Sequence, residues 1–260
     1  MTGSAQAESA GEWEYDLTPY LWLPVIDGTL NYDVPPGGGG GPNFEVGPTD
    51  WLDLLNYGLL LNGTARKGRF SISSDLVILS MTSKNDGRLS SANFGPGILP
   101  IDVSLNRNSR TDLDGLTWSI AAGYTVKESE RGSLDLFAGV RYFGAEAESR
   151  WSLTTAITGP ADDIVLPAEG SVGADEDIWD GIVGLRGKVA FNEKWSGLYY
   201  LDVGTGSSDF TWNAIGGVAR EFGWGDLIIA YRHLSYDQGS DSLINDFSFS
   251  GLAVGGRFRF

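Results

Sequence analysis

The 260-residue sequence predicts an all-β protein. The expected fold is a transmembrane antiparallel up-and-down β-barrel of about ten strands, with about eight or twelve strands as the alternatives. Three observations predict this fold. Apolar and polar residues alternate along many segments, the connections between segments are short at one end and long at the other, and the chain finishes on an alternating segment that ends with Phe260.

Alternation with a period of two residues is clear in LTWSIAAGYTV (116–126) and LDLFAGVRY (134–142). One face of the first segment carries Leu, Trp, Ile, Ala, Tyr and Val, and the other carries Thr, Ser, Ala, Gly and Thr. A face crowded with Gly, Ser, Thr and paired charges is typical of a narrow polar lumen. A soluble β-sandwich that acts as a binding module also shows alternation and is kept as an alternative.

Segments of this kind and their connections define the expected topology. Connections over 67–68, 127–132, 192–193 and 223–225 are short, whereas those over 25–56, 83–110 and 149–176 are long. Short periplasmic turns and long outer loops are typical of bacterial barrels, so both chain ends are expected in the periplasm. Residues 12–260 are assigned to the barrel and residues 1–11 to a disordered N-terminal segment. The expected strands are 13–23, 57–66, 69–82, 111–126, 134–148, 177–191, 194–204, 210–222, 226–236 and 246–260.

Composition excludes several classes of protein. The chain has no cysteine, which excludes disulfides, cysteine nucleophiles and thiolate metal sites. Its net charge of -16 repels phosphate backbones, so no nucleic-acid partner is expected. The longest apolar runs, such as 59–61 and 227–230, are far shorter than the roughly 18 residues of a membrane helix.

The C-terminal segment LAVGGRFRF (252–260) places Phe258 and Phe260 on one face and Arg257 and Arg259 on the other. A terminal aromatic residue after alternating apolar residues resembles the signal by which the barrel-assembly machinery recognises outer-membrane proteins. We interpret Phe258 and Phe260 as this assembly signal.

Six stretches carry a resemblance to known proteins: LTPYLWLPVIDGTL (17–30), ARKGRFSISSDLVIL (65–79), FAGVRY (137–142), IVGLRG (182–187), LDVGTGSSDFT (201–211) and YR (231–232). Through them the chain resembles a family of uncharacterised proteobacterial outer-membrane proteins of porin-like build. The resemblance implies a barrel in the bacterial outer membrane, in contact with its lipid and lipopolysaccharide. It carries over no catalytic or binding residue.

Charged residues on the expected inward face are the candidate functional residues. Charges of both signs in a low-dielectric lumen predict ion pairs with trapped water, and carboxylates are expected to pair with arginines. One interpretation is the constriction of a narrow passive channel for ions or small polar solutes. The alternative is a structural or envelope-interaction barrel whose lumen these side chains fill. The candidates are Asp75, Asp135, Arg141, Asp180, Arg186, Lys188, Asp202 and Arg232.

His233 is the only histidine, and its register with Leu227, Ile229 and Tyr231 places it on the expected outward face. A single histidine excludes a multi-histidine metal site. An outer-membrane enzyme is therefore the least favoured class, and no catalytic residue, metal or cofactor is expected.

Overall fold

Eleven β-strands follow one another along the part of the chain that the computed structural model describes, residues 11–30, 43–47, 52–89, 102–158, 164–238 and 244–260. No helix in these ranges is long and apolar enough to cross a membrane. Residues 1–10 of the expected N-terminal segment lie outside the described residues. The strands are β1 (Glu14–Leu30), β2 (Asn43–Val46), β3 (Leu55–Lys67), β4 (Phe70–Leu89), β5 (Asp102–Ser129), β6 (Gly132–Thr158), β7 (Ile164–Ala190), β8 (Trp195–Gly206), β9 (Phe210–Phe222), β10 (Gly225–Asp237) and β11 (Ile244–Arg259).

Ten of these strands close into a barrel, because β1 pairs with β3 on one side and with β11 on the other. The register of the seam joins Asp16 to Arg259. Beside it, Phe260 N donates to Tyr15 O at 2.9 Å, and Tyr15 N donates to Phe260 O at 3.2 Å. All strand pairs are antiparallel. They join strands that are consecutive in sequence, except for the closing pair of β1 with β11 and the pair of β1 with β3. The short β2 pairs with the far end of β1. The predicted closed up-and-down barrel of ten strands is confirmed.

Four tight connections lie at one end of the barrel, which we call the short-turn end. They join β3 to β4, β5 to β6, β7 to β8 and β9 to β10. Gly68, in the first of these turns, has φ of 56°, a conformation that residues with a Cβ rarely adopt. The expected short turns are confirmed, and the opposite end is called the loop end.

Two of the expected long loops, 83–110 and 149–176, are instead mostly strand. β5, β6 and β7 have 28, 27 and 27 residues, and their ladder continues to the pairs Asp102–Thr158 and Ile157–Ile164. β3 and β8 end earlier, so β4–β7 project beyond them as what we call the extension. Segments such as NRNSR (106–110) are polar at every position of the sequence. They show no alternation from which a strand could be predicted. They are strands because their backbones pair with the neighbouring strands.

The two faces of the wall differ as the alternation predicts. In β5, Thr117, Ala121 and Thr125 are buried inside the barrel, whereas Ile120 and Tyr124 point outward and are exposed. The outer face is thus a broad apolar band. Paired aromatic rings flank it. At the short-turn end they are Phe70 with Tyr124, Phe222 with Trp224 and Trp224 with Phe258, and at the loop end Tyr142 with Trp179 and Trp212 with His233.

Candidate functional site

Inward side chains fill the lumen in three successive layers, and the first, the lower ionic layer, lies towards the short-turn end. Its centre is the buried carboxylate of Asp135. Asp135 accepts hydrogen bonds from the Arg66 guanidinium and from Thr125 Oγ1, the latter at 2.7 Å. Arg186 Nε lies 3.5 Å from the same carboxylate. Two arginines therefore share one acid, and the layer has a net positive charge.

Glycine and serine make room for this layer. Arg186 Nη2 donates to Ser71 Oγ at 2.9 Å. A Cβ at Gly123 would lie 2.7 Å from Ser71 Oγ and 3.3 Å from Arg186 Nη2. A larger residue at 123 would thus force the Ser71 hydroxyl to move and would crowd the Arg186 guanidinium.

The mouth at the short-turn end repeats the arrangement. Asp226 is buried, and its Oδ2 accepts hydrogen bonds from Arg257 and Arg259, with Arg257 Nε at 2.8 Å. Again two guanidinium groups meet one carboxylate.

The middle ionic layer crosses the lumen as one chain of hydrogen bonds. Arg141 pairs with Asp202, and their side chains are 1% and 0% exposed. Asn213 Nδ2 donates to Asp202 Oδ2 at 3.3 Å, and Arg232 Nε donates to Asn213 Oδ1 at 3.3 Å. Arg232 Nη1 then donates to Asp75 Oδ2 at 2.8 Å.

Tyr20 and Thr211 complete the ends of this chain. The Tyr20 hydroxyl donates to Asp75 Oδ1 at 2.9 Å and accepts from Arg232 Nη1 at 2.9 Å. Arg141 Nη1 lies 3.4 Å from Thr211 Oγ1. The middle ionic layer therefore ties together β1, β4, β6, β8, β9 and β10 and contains equal numbers of arginines and carboxylates.

The apolar layer lies in the lumen towards the loop end. Phe143, Tyr236 and Phe247 form its centre, with ring centroids 4.8–5.2 Å apart. The Arg232 guanidinium lies 4.7 Å from the centroid of the Trp22 ring and joins this layer to the one below. Its members are all buried: Trp22, Leu60, Val77, Phe143, Ile178, Leu234, Tyr236 and Phe247.

The structure brings most of the predicted residues together. Three ion pairs join them: Asp75 with Arg232, Asp135 with Arg186, and Arg141 with Asp202.

Two candidates are placed differently from what the sequence suggested. Asp180 is buried, but it accepts from Ser208 N at 3.0 Å and from Ser208 Oγ at 2.6 Å, where it caps the turn between β8 and β9. Lys188 is exposed near the end of β7 and belongs to none of the three layers.

Sequence reasoning missed the apolar layer. A signal for it exists, because LLL (59–61) and LVIL (76–79) are apolar at every position. Continuous apolar runs indicate strands whose two faces are both buried or lipid-facing. Leu60 and Val77 are the inward members of these runs.

His233 lies on the outer face, as expected. Its ring packs against Trp212 with centroids 4.3 Å apart, and its Nδ1 is hydrogen-bonded to Ser250 Oγ. In the described part of the chain, no group of three His, Cys, Asp or Glu residues is arranged to hold a metal ion.

A cleft of about 660 Å³ lies where the extension leaves the barrel. Cross-strand register places Asp114 beside Glu146 and Glu146 beside Asp175, and we call these three the acidic row. All three line the cleft, together with Tyr57 and Tyr142. Like charges in direct cross-strand register repel each other, so the acidic row costs stability.

Two arginines nearby are engaged by other acids. Arg110 Nε donates to Asp112 Oδ2 at 2.9 Å, and Arg150 pairs with Glu148. Asp112 lies on the extension, beyond the apolar band. The hydrogen bonds that it accepts from Arg110 and Thr82 lower its pKa to about 2.

The proposed assembly residues point outward. Phe258 packs against Trp224 with ring centroids 5.3 Å apart, and Phe260 is 76% exposed. Both side chains are thus accessible at the seam between the first and last strands.

Comparison with known proteins adds a general likeness. No family model and no curated protein matches the sequence. Among solved structures, the translocator domain of the autotransporter NalP from Neisseria meningitidis is 14% identical with a TM-score of 0.40, covering 97% of this chain and 90% of that one. Ail, the attachment invasion locus protein of Yersinia pestis, is 11% identical with a TM-score of 0.33, covering 96% and 100%. The outer membrane protein AlkL is 16% identical with a TM-score of 0.33, covering 100% and 97%. At these values nothing about the function of this chain follows from the three proteins.

Proposed function

We propose that this chain is a non-enzymatic outer-membrane barrel with a closed lumen, which serves the envelope through its outward surfaces. The observation that carries the proposal is the filled cross-section. Four side chains that point into the barrel are at most 1% exposed, whereas side chains lining an open water-filled lumen would be exposed. They are Arg141, Ile178, Leu234 and Tyr236. Barrels of about this strand number have interiors that side chains can fill.

The outer face supports a place in the membrane. Val140, Val183 and Tyr231 are among many large apolar side chains that point outward and are 41%, 57% and 53% exposed. An apolar patch of this extent is unfavourable in water. A band flanked by aromatic pairs matches the surface that barrels present to lipid.

If the apolar band lies in the outer membrane, the placement of the two ends of the barrel and of the proposed assembly residues follows. The short-turn end would face the periplasm, and the extension would project outside the cell, at the level of lipopolysaccharide. Phe258 and Phe260 would be recognised by the barrel-assembly machinery. The acidic row makes the outer surface anionic, which favours cationic over anionic contacts at the cell surface.

A narrow passive channel for ions or small polar solutes is the second candidate. It is favoured by the partial opening of the lower ionic layer, where the Arg66 side chain is 30% exposed and that of Arg186 is 16% exposed. Such a channel would require both the middle ionic layer and the apolar layer to move.

Planar-bilayer recording separates the two functions. We expect no steady current from the wild-type protein. The double variant Phe143→Ala, Phe247→Ala removes two rings from the apolar layer and should produce a current, which also proves insertion. The matched control Val183→Ala shortens an outward side chain and should remain silent.

A steady wild-type current whose ion selectivity changes in Arg232→Gln would overturn the closed-lumen proposal in favour of the channel. The membrane assignment is tested separately. The protein should fractionate with outer membranes and migrate differently on gels before and after heating, because closed barrels resist unfolding. A monodisperse monomer in the absence of detergent would contradict it.

A further inference from the structure

The boundary between the middle ionic layer and the apolar layer holds buried polar atoms that make no hydrogen bond of normal geometry within the protein. Among the described residues, these include Arg141 Nε, Asp202 Oδ1 and Tyr236 Oη. The three side chains are essentially inaccessible from outside. Leaving a buried donor or acceptor unsatisfied is costly, and most such groups in folded proteins bind a partner or an ordered water.

The three residues converge on one place. Arg141 pairs with Asp202 and also approaches Thr211 Oγ1. Thr211 is the direct cross-strand neighbour of Tyr236, and both side chains are buried inside the barrel. Phe143 follows Arg141 on the same face, and its ring centroid lies 5.2 Å from that of Tyr236. The Tyr236 side chain therefore lies beside the Arg141–Asp202 pair.

The chemistry of the three atoms is complementary to water. Arg141 Nε–H can only donate, Asp202 Oδ1 can only accept while ionised, and the Tyr236 hydroxyl can do both. A water molecule accepts from the arginine, donates to the carboxylate and exchanges one hydrogen bond with the hydroxyl. Buried waters typically make about three hydrogen bonds. A bound anion is disfavoured, because the negatively charged Asp202 carboxylate would repel it.

We propose that an ordered water molecule is bound in the lumen between Arg141, Asp202 and Tyr236. The site lies at the boundary between the middle ionic layer and the apolar layer. The proposal depends on the geometry of this layer alone, and it holds for a closed barrel and for a gated channel alike.

Tyr236→Phe tests the proposal, because the unfolding rate should change in opposite directions depending on whether the Tyr236 hydroxyl binds a water or has no partner. If the hydroxyl binds the water, its loss removes a hydrogen bond, and the barrel should unfold about fivefold faster in guanidinium. If the hydroxyl is a buried group without a partner, its loss removes a penalty, and unfolding should be unchanged or slower. Tyr20→Phe is the calibration, since that hydroxyl bonds directly to Asp75 and Arg232 and its loss must accelerate unfolding.

A direct measurement keeps the test independent of stability. Solid-state NMR in lipid bilayers should show rapid magnetisation transfer from water to Arg141 Nε–H, and this transfer should weaken in Tyr236→Phe. Arg232 Nε is the internal control, because it donates to Asn213 and not to water. Its transfer from water should be slower than that of Arg141 Nε–H. Absence of transfer to Arg141, or transfer that depends on chloride concentration, would overturn the proposal.

Discussion

Arg141→Ala should be among the most damaging single substitutions in the lumen. The side chains of Arg141 and Asp202 are 1% and 0% exposed, so bulk solvent does not compensate the Asp202 charge once the guanidinium is lost. The Asp202 carboxylate would keep a hydrogen bond from Asn213 at 3.3 Å, but no cation at its Oδ2. Breaking a buried pair in this way costs about 3–5 kcal/mol, and we expect a loss of that size in the free energy of unfolding.

Arg186→Ala is the matched comparison. It also removes an arginine from a buried carboxylate, but Asp135 keeps its ion pair with Arg66 and its hydrogen bond from Thr125. The residual charge stays compensated, so the expected loss is about 1–2 kcal/mol. The difference between the two variants therefore measures what an uncompensated carboxylate costs in this lumen.

Equilibrium unfolding in urea, followed by tryptophan fluorescence in lipid vesicles, gives both values. A double variant, Arg141→Met with Asp202→Leu, removes both charges and should recover most of the stability, since apolar replacements of buried pairs are often neutral. Equal losses for Arg141→Ala and Arg186→Ala, or a double variant as unstable as Arg141→Ala, would refute the reasoning.

Three further predictions concern the outer face and the extension. Val140→Arg places a charge in the apolar band and should lower the free energy of unfolding by about 2–4 kcal/mol, whereas Val140→Leu should be neutral; a neutral Val140→Arg would contradict the assigned face. Glu146→Gln removes the central charge of the acidic row and should stabilise the extension by about 0.2–1 kcal/mol, seen as slower amide exchange that converges with wild type at high salt. Asp112 should titrate by NMR near pH 2, below its ordinary value of 3.8. Because its folded-state pKa is lowered, its contribution to stability is present above pH 3.8 and lost as the pH falls through about 2, and Arg110→Ala should remove most of it.

Period-two alternation predicted the direction of single side chains, and together with the connection lengths and the C-terminal segment it predicted the barrel. The segment Leu116–Val126 shows why: its outward residues are apolar and, apart from Ala122, large, whereas the inward ones are small or polar. The inward placement of Arg141 and Arg232 came from the same alternation. A lipid-facing wall imposes this pattern wherever the opposite side is polar.

Alternation could not reveal contacts across the lumen. Which inward residues meet depends on strand number and stagger, and these place Asp75 against Arg232, although the two are 157 positions apart. Asp180 was expected to bind an arginine for the same reason, and in the structure it binds Ser208. Where both faces are apolar, as at Leu60 and Val77, alternation disappears, and only the continuous apolar run indicates an apolar layer inside the barrel.

The extension gives this barrel two units of unequal cooperativity. Below the ends of β3 and β8, every strand has two neighbours in a closed ladder, so local opening must break the wall and its filled interior together. Above them, residues 164–179 of β7 pair only with β6 among the described residues. Opening of this part of β7 breaks one ladder and exposes no buried layer of the lumen. The free energy of this local opening should therefore be much smaller than that of opening the closed barrel. A protease added from outside should therefore trim the projecting strands to a resistant core that still migrates as a folded barrel.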